Sequence, residues 1–341
     1  MPIIDVLPFR ACYDCGRNET ILAGALRAGR FLHYGCRHGG CGTCRVLLVD
    51  GEVEQAGSSF ALPRADRADG WILACASAPA GDCVIDVSAG PDGMALTEEE
   101  FLAGDAAGTF VTEVAEITRL TRDVRGLRLR LLDPGSIRFT AGQFVTVEVP
   151  GTAATRAFSM ASPPSESGSI DLVVRVLPGG AFSAALDERL APGDRLRVSG
   201  PFGQLKVRLS HRPIIMIAGG SGLAPIESMA ADLAARRNTR PVTVFFGVRT
   251  AADLFHLERL EAIRGRMPGL EIVPVLSEPG PGWAGETGLV TDAVDRRLPR
   301  LSGYDAYLCG PPAMIDAAVE LVTRRGVRPR NVYFDAFVPT G

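Results

Sequence analysis

The sequence predicts a multidomain chain, part α+β and part α/β, with three folded domains in succession. Three observations carry that expectation. Seven of the eight cysteines fall between Cys12 and Cys83, leaving only Cys309 outside, which marks off an N-terminal module. From about Thr109 to Lys206, apolar residues alternate with charged ones, the signature of half-buried antiparallel strands. After about Arg212, short unbroken apolar runs each precede a helix-like stretch, the texture of a parallel α/β sheet covered on both faces.

Composition agrees with a globular chain. The 341 residues are 46% hydrophobic and 22% charged, which excludes a disordered tail, a coiled coil or a collagen. A net charge of −3 gives no electrostatic footprint for nucleic acid or anionic lipid. The longest apolar stretches, such as Ile214–Ala218, are strand-sized and far short of the ~20 residues of a membrane span. Met1-Pro2-Ile3-Ile4-Asp5 lacks the basic and then apolar character of a secretory leader, so a cytoplasmic protein is expected.

In the N-terminal module, Asn18-Glu19-Thr20-Ile21-Leu22 reads as a helix start. Asn18 is the expected N-cap, with Ile21, Leu22, Ala25 and Leu26 on one face. The strongest motif follows: Cys36, Cys41 and Cys44 in one glycine-rich loop with spacing C-x4-C-x2-C, and then Cys75. That is the plant-type [2Fe–2S] ferredoxin spacing. Four thiolates suffice for two irons, and glycines let backbone N–H groups approach the sulfurs. A structural zinc site is the competing reading, but zinc sites pair separated knuckles rather than crowding three cysteines into one loop. His38 reads as a surface residue. Cys12, Cys15 and Cys83 read as buried or edge-strand thiols, with a C-x-x-C redox pair as the alternative for the first two. Small and charged residues from Ala89-Gly90-Pro91 to Gly108 read as a linker, giving expected boundaries of 1–93, 94–107, 108–206 and 207–341.

The middle domain reads as a small antiparallel barrel. Leu127, Leu129 and Leu131 alternate with Arg128 and Arg130; Leu196 and Val198 alternate with Arg195 and Arg197. Arg156-Ala157-Phe158-Ser159 follows a strand and a Pro-Gly turn. Arg175 and Val176 sit in the apolar strand Leu172–Leu177, and Gly179-Gly180-Ala181-Phe182-Ser183 leads into a helix. An anion cradle at a helix start and an aromatic suited to stacking are what a flavin nucleotide needs.

In the last domain the runs Ile214–Ala218, Val242–Phe246 and Tyr304–Leu308 read as strands. Helical stretches are expected to Arg237, over Ala251–Arg264 and over Pro312–Arg325. Gly219-Gly220-Ser221-Gly222-Leu223-Ala224-Pro225 sits between strand and helix; alone it is equally a phosphate site or a tight turn. Cys309-Gly310-Pro311-Pro312-Ala313-Met314 has the same placement. Both loops leave the carboxyl ends of parallel strands, where open α/β sheets bind ligands.

Taken together, these motifs resemble the reductase components of multicomponent oxygenases, ferredoxin–NAD(P)H reductase-type flavoproteins with an N-terminal ferredoxin domain. The resemblance is strongest to the reductases of soluble methane and alkane monooxygenases. It is carried by Cys36–Cys44, Ala141-Gly142-Gln143-Phe144, Arg156–Ser159, Arg175-Val176-Leu177-Pro178, Gly219–Pro225, Trp283-Ala284-Gly285-Glu286, Leu308–Ala317 and Val332–Gly341. It implies a β-grasp ferredoxin domain, an antiparallel β-barrel FAD domain and a parallel α/β NAD-binding domain. It implies that Cys36, Cys41, Cys44 and Cys75 ligate the cluster. Arg156 would bind the FAD pyrophosphate, Phe158 would stack on the isoalloxazine where relatives usually carry Tyr, and Ser159 would hydrogen-bond near flavin N5. Arg175, Val176, Gly180, Phe182 and Ser183 would complete the flavin site. Gly219 to Pro225, with Gly310, Pro311 and Met314, would hold the dinucleotide. Cys309 would sit by the nicotinamide, and Phe334 to Phe337 would approach one of the rings, with core packing the alternative for Phe334 and Phe337. Electrons would pass from NADH to FAD to the cluster to a hydroxylase component.

Glu278 after Ser277 favours NADH over NADPH, whereas Arg249 could cut the other way. A monomer in isolation is expected. The customer could instead be a Rieske ring-hydroxylating dioxygenase, a phenol or toluene monooxygenase, or a deoxysugar dehydratase. A flavin-binding scaffold without turnover and a zinc-stabilised binding module are the readings from other classes.

Overall fold

Alternating burial builds the first sheet. In β1 (Ile3–Leu7), Ile4 and Val6 are buried while Ile3 and Asp5 face out. The computed structural model describes all residues except 35–38, 40, 41, 43, 56–61, 63, 89–94, 104–107, 153, 204 and 338–341, and the side chains of 64, 65 and 103. The chain forms two compact units, Met1–Ala107 with Phe202–Gln204, and the remainder.

The first unit continues with β2 (Ala11–Asp14), α1 (Ile21–Arg27), β3 (Arg45–Asp50), β4 (Val53–Gln55), α2 (Arg64–Ala68), β5 (Trp71–Leu73), β6 (Ser77–Pro79), β7 (Cys83–Asp86) and α3 (Glu98–Ala103). The main sheet has the order β2-β1-β7-β3-β5, with β1 and β7 parallel, and β4 pairs with β6 in a small second sheet. Ile21, Leu22 and Ala25 bury the inner face of α1.

Two expectations in this unit are corrected. The N-cap is Thr20, not Asn18: the Thr20 hydroxyl accepts the Ala23 N–H at 3.2 Å. Asn18 lies in the preceding turn, which the Glu19 carboxylate closes by accepting the Gly16 N–H at 2.9 Å. The stretch read as linker carries α3. Thr97 and Glu100 form a reciprocal capping box, with bonds of 3.0 and 3.2 Å, and Phe101 is fully buried against Phe9.

Cys12 lies exposed on the edge strand, while Cys15 and Cys83 are buried. The Cys15 thiol faces the carbonyls of Glu19 and Thr20, and Gly24 packs against it. Burial, reinforced by the Glu19 carboxylate, pushes this thiol up to about 11. The folded state therefore holds its proton more tightly than the unfolded chain. The associated stability is whole below the ordinary thiol value and drains away as pH rises towards 11. Thermal midpoints of the first unit should fall across that window, and less steeply in Cys15→Ala. Parallel curves for the two proteins would show that another group titrates.

The second unit opens with the antiparallel domain: β8 (Gly108–Arg119), β9 (Val124–Asp133), β10 (Phe144–Glu148), β11 (Thr155–Ser159), β12 (Ser169–Arg175), α4 (Ala181–Glu188) and β13 (Arg195–Phe202). The order is β11-β10-β13-β8-β9-β12, and a Met160–Leu172 bridge brings the two edges together. Leu127, Leu129, Leu196 and Val198 point into the core, as the alternation requires.

A parallel sheet follows, built from β14 (Ile214–Gly219), α5 (Leu223–Ala235), β15 (Val242–Val248), α6 (Leu257–Arg266), β16 (Leu270–Leu276), β17 (Glu286–Thr287), α7 (Val290–Arg297), β18 (Asp305–Gly310), α8 (Pro312–Arg324) and β19 (Val332–Ala336). Its order is β17-β16-β15-β14-β18-β19. In β14, Ile214, Met216 and Ala218 face α5 and α6, whereas Ile215 and Ile217 face α7 and α8. Burial on both faces explains the unbroken apolar run. The single helix expected from Ala251 is instead a 3₁₀ turn, Ala251–Asp253, and then α6. The break falls at His256, whose φ of 55° is left-handed and whose ring Nδ1 lies 2.7 Å from Glu227. Among the described residues no helix is long and apolar enough to cross a membrane.

Candidate active site

Two of the four cysteines singled out as metal ligands lie within the described residues. Cys44 precedes β3 and Cys75 follows β5. The Ala74 N–H donates to the Cys44 carbonyl at 2.9 Å, and the Ala74 carbonyl accepts the Leu22 N–H of α1 at 2.9 Å. Helix and strand thus hold the two cysteines side by side. Their sulfurs are 3.1 Å apart and buried, well beyond a disulfide bond length of about 2.05 Å. Gly42 before Cys44 has φ 72°, a conformation that a side chain would strain. Two converging thiols, one following a positive-φ glycine, fit an iron–sulfur group. Cys36, Cys41 and His38 lie outside the described residues.

In the barrel, Arg156 and Phe158 share one face of β11, opposite Val147 and Val145 of β10. Phe158 is half-buried, its ring centroid 4.9 Å from that of Phe182. Phe182 itself is a core residue of the barrel. Ala157 is exposed, and Ser159 is buried where β11 ends. Arg175 closes β12, its Nε 3.4 Å from Asp123, and the Val176 N–H donates to the Asp123 carbonyl at 2.8 Å. The Ser183 hydroxyl accepts the Leu177 N–H at 2.9 Å, pinning the turn at Gly180 to the start of α4. Cation, half-buried aromatic and helix start thus lie on neighbouring elements, a fit for an aromatic nucleotide with a pyrophosphate.

At the carboxyl end of the parallel sheet, the order reverses between β14 and β18, and both glycine loops meet there. A Cβ on Gly222 would overlap the Cys309 carbonyl, and one on Gly219 would lie 2.5 Å from Met314 Sδ and 3.1 Å from Pro311. Only bare backbone allows this approach, which leaves a cradle for a phosphate group. Gly220–Gly222 is a 3₁₀ turn, with Gly220 and Ser221 partly exposed. Leu223, Ala224 and Pro225 differ from the simplest expectation. Their side chains are buried, the Leu223 N–H is bonded back to Gly220 and Ser221, and Pro225 has no N–H. Phosphate donors therefore come from the turn rather than from these three residues.

Cys309 is fully buried beside Asp335 of β19. Burial, then the Asp335 charge, pushes its thiol well above the ordinary value, against a smaller opposing effect from the Asp335 backbone. It is a neutral thiol at physiological pH. The Phe337 N–H donates to the Gly310 carbonyl at 2.8 Å, placing Phe337 at the same sheet end, while Phe334 packs in the core beneath α7 and α8. β12 of the barrel packs against the Gly220–Gly222 turn, so the two halves of the site adjoin. Exposed Arg249 and Glu278 are joined by a backbone bond of 2.8 Å beyond β15 and β16.

Three family models tile the chain: a 2Fe-2S iron-sulfur cluster binding domain over residues 4–80, an oxidoreductase FAD-binding domain over 111–207 and an oxidoreductase NAD-binding domain over 216–320. The reductase component of propane 2-monooxygenase from Mycolicibacterium goodii is 36% identical over 331 residues, 95% of this chain and 93% of that protein. The chain belongs to the reductase components of oxygenase systems. The reductase component DmpP of phenol 2-monooxygenase from Pseudomonas sp. (strain CF600) is 39% identical over 327 residues, covering 94% of this reductase and 90% of the relative. The crystal structure of the Amycolatopsis cytochrome P450 reductase GcoB superposes with a TM-score of 0.84 at 33% identity, covering 99% of each chain. The reductase is thus an oxidoreductase with iron–sulfur, FAD-binding and NAD-binding domains. Sequence reasoning passed over one feature, two buried carboxylates bridged by arginine between barrel and α/β domain; its members are far apart in sequence and follow no period.

Proposed function

We propose that the reductase carries electrons from NADH to the hydroxylase component of a multicomponent di-iron monooxygenase of the methane or alkane type. The meeting of Gly219–Gly222, Cys309–Gly310 and Phe337 at the strand-order reversal, against β12, supports the NADH-to-flavin half of this reading most strongly, and the likeness to the propane 2-monooxygenase reductase supports the hydroxylase half. FAD held there would supply a hydride acceptor able to give up its electrons singly, and a [2Fe–2S] cluster held by the cysteines would supply a one-electron carrier. The chain's own part is binding, orientation and exclusion of water. Arg156, Arg175 and the Gly180–Ser183 turn hold the FAD phosphates; Phe158 stacks on the flavin and Ser159 donates near its N5. Gly219, Gly220, Ser221 and Gly222 hold the dinucleotide pyrophosphate, with Gly310, Pro311 and Met314 as the opposite wall. Cys309, kept neutral, lines the nicotinamide pocket without placing a charge beside the ring, and Phe337 covers it. Cys36, Cys41, Cys44 and Cys75 ligate the cluster. The first domain runs from residue 1 through α3, followed by domains 108–206 and 207–341, in a cytoplasmic monomer.

Glu278 supports NADH, since a carboxylate there suits a free ribose hydroxyl and repels a 2′-phosphate. A second reading, delivery to a cytochrome P450, is favoured by the likeness to GcoB. Anaerobic mixing of the NADH-reduced protein with a purified alkane hydroxylase, and separately with a P450, separates the two. The hydroxylase irons should be reduced faster, and NADPH should be at least ~10-fold less efficient than NADH. Faster P450 reduction would put the second reading in place of the first; preference for NADPH would overturn the role of Glu278.

A further inference from the structure

β12 is buried on both faces. Ile170, Leu172 and Val174 enter the barrel core, while Val173 joins the core of the α/β domain alongside Leu223 and Ile226 of α5. Asp171, on the same face as Val173, is only 9% exposed and carries a charge into this apolar junction. Its partner across the junction is Arg259 of α6. One guanidinium nitrogen of Arg259 reaches Asp171 at 3.1 Å, while its Nε reaches Glu227 of α5 at 2.8 Å. The remaining capacity of both carboxylates is used: Arg128 Nε bonds Asp171 at 2.8 Å, and His256 Nδ1 bonds Glu227 at 2.7 Å. A second buried link runs beside the first. The Ser228 hydroxyl donates to the Ser162 carbonyl at 2.7 Å, and the Ser162 hydroxyl accepts the Asp171 N–H at 3.1 Å.

With the carboxylates buried and Arg259 partly exposed, desolvation offsets much of the attraction, and what the bridge supplies is geometry. Apolar packing tolerates sliding. A planar guanidinium held by two carboxylates fixes distance and angle. The joined elements are those that carry the two halves of the site. Asp171 lies four residues before Arg175, and Glu227 one turn into the helix that leaves the Gly219–Gly222 loop.

We propose that the Asp171–Arg259–Glu227 bridge, with the Ser162–Ser228 bond, aligns the nicotinamide-binding loop with the flavin-binding strand. Asp171 and Arg259 are positioning residues for hydride transfer. The inference rests on the reductase reading above. Hydride transfer needs near-contact geometry, and a displacement of about 1 Å costs on the order of a hundredfold in rate.

The test is anaerobic stopped-flow reduction of the holoprotein at saturating NADH, with Asp171→Asn (charge removed, shape kept) and Arg259→Lys (charge kept, fork removed). The limiting rate per bound FAD should fall about 10-fold or more in each. The long-wavelength charge-transfer absorbance of the nicotinamide–flavin complex should weaken, with FAD content and thermal midpoint nearly unchanged. The double variant should be no slower than the slower single one. Limiting rates within about twofold of the unaltered protein would overturn the proposal, as would a double loss equal to the product of the single losses. A purely structural role would lower FAD content and midpoint while leaving the rate per bound FAD alone. Should Asp171→Asn lose its FAD, Arg259→Lys still decides, since it keeps the charge balance. If the unaltered protein is not reduced by NADH, the reductase reading fails first and takes the bridge's role with it.

Discussion

Replacing Cys75 by serine is expected to strip the protein of cluster iron while leaving NADH-driven flavin reduction within about twofold of normal. Cys75 sits 3.1 Å from Cys44, sulfur to sulfur, in a buried turn held by Ala74. Serine offers a harder, far less acidic oxygen in place of a soft thiolate, and iron–sulfur centres select for thiolate. Loss of a partner that merely orients a ligand costs about 10–100-fold in metal affinity, so loss of a ligand itself should cost at least as much. Iron and acid-labile sulfide per chain, with the visible spectrum, check the first half; reduction of a one-electron protein acceptor, expected to fall on the order of a hundredfold, checks the second. A Cys75→Ser protein with full iron and unchanged colour would remove Cys75 from the ligand set.

The second large effect is expected of Gly222→Ala. Its backbone, φ −61° and ψ −9°, is already helical, so no torsional strain opposes a side chain. Propensity alone would make alanine stabilising by about 1 kcal/mol at a helical position. The opposite sign is expected, because the new Cβ would overlap the Cys309 carbonyl and crowd the Gly310 amide, both main chain. Overpacking of this kind costs about 1–3 kcal/mol, and relief requires the two glycine loops to part. Parting them displaces the dinucleotide cradle, so NADH-driven flavin reduction should drop about a hundredfold while chemical reduction of the flavin by dithionite is untouched. A Gly222→Ala protein of raised thermal midpoint and normal NADH kinetics would show that the loops do not close on one another as described.

What was legible in the sequence was what depends on local spacing. The cysteine ladder from Cys36 to Cys75 needs no fold to be read. Ile214–Ala218 announces a strand covered on both faces, because only such a strand can be apolar at consecutive positions. Errors arose where two local signals competed. Asn18 and Thr20 are both good caps, and only the Glu19 carboxylate, closing the turn at Gly16, shifts the start to Ile21. Thr97 and Glu100 spell a capping box before Phe101, yet their small and acidic neighbours look like linker. The break at His256 could not be seen, because the residue its ring contacts, Glu227, lies on another helix. Asp171 and Arg259, separated by 88 positions, were invisible for the same reason. At the site, residue types were readable but the division of labour was not. Leu223 and Ala224 sit in a phosphate-loop motif, yet their side chains belong to the core.

The measurement that bears most directly on the electron path is an anaerobic NADH titration of the purified protein, followed in the visible spectrum. Flavin bands and the broad cluster absorption should both be present, and both should bleach with NADH. If the flavin alone bleaches, the cluster is not in line with it, and a simple flavin reductase replaces the proposed path; a protein that stays unchanged with NADH would contradict that path at its first step.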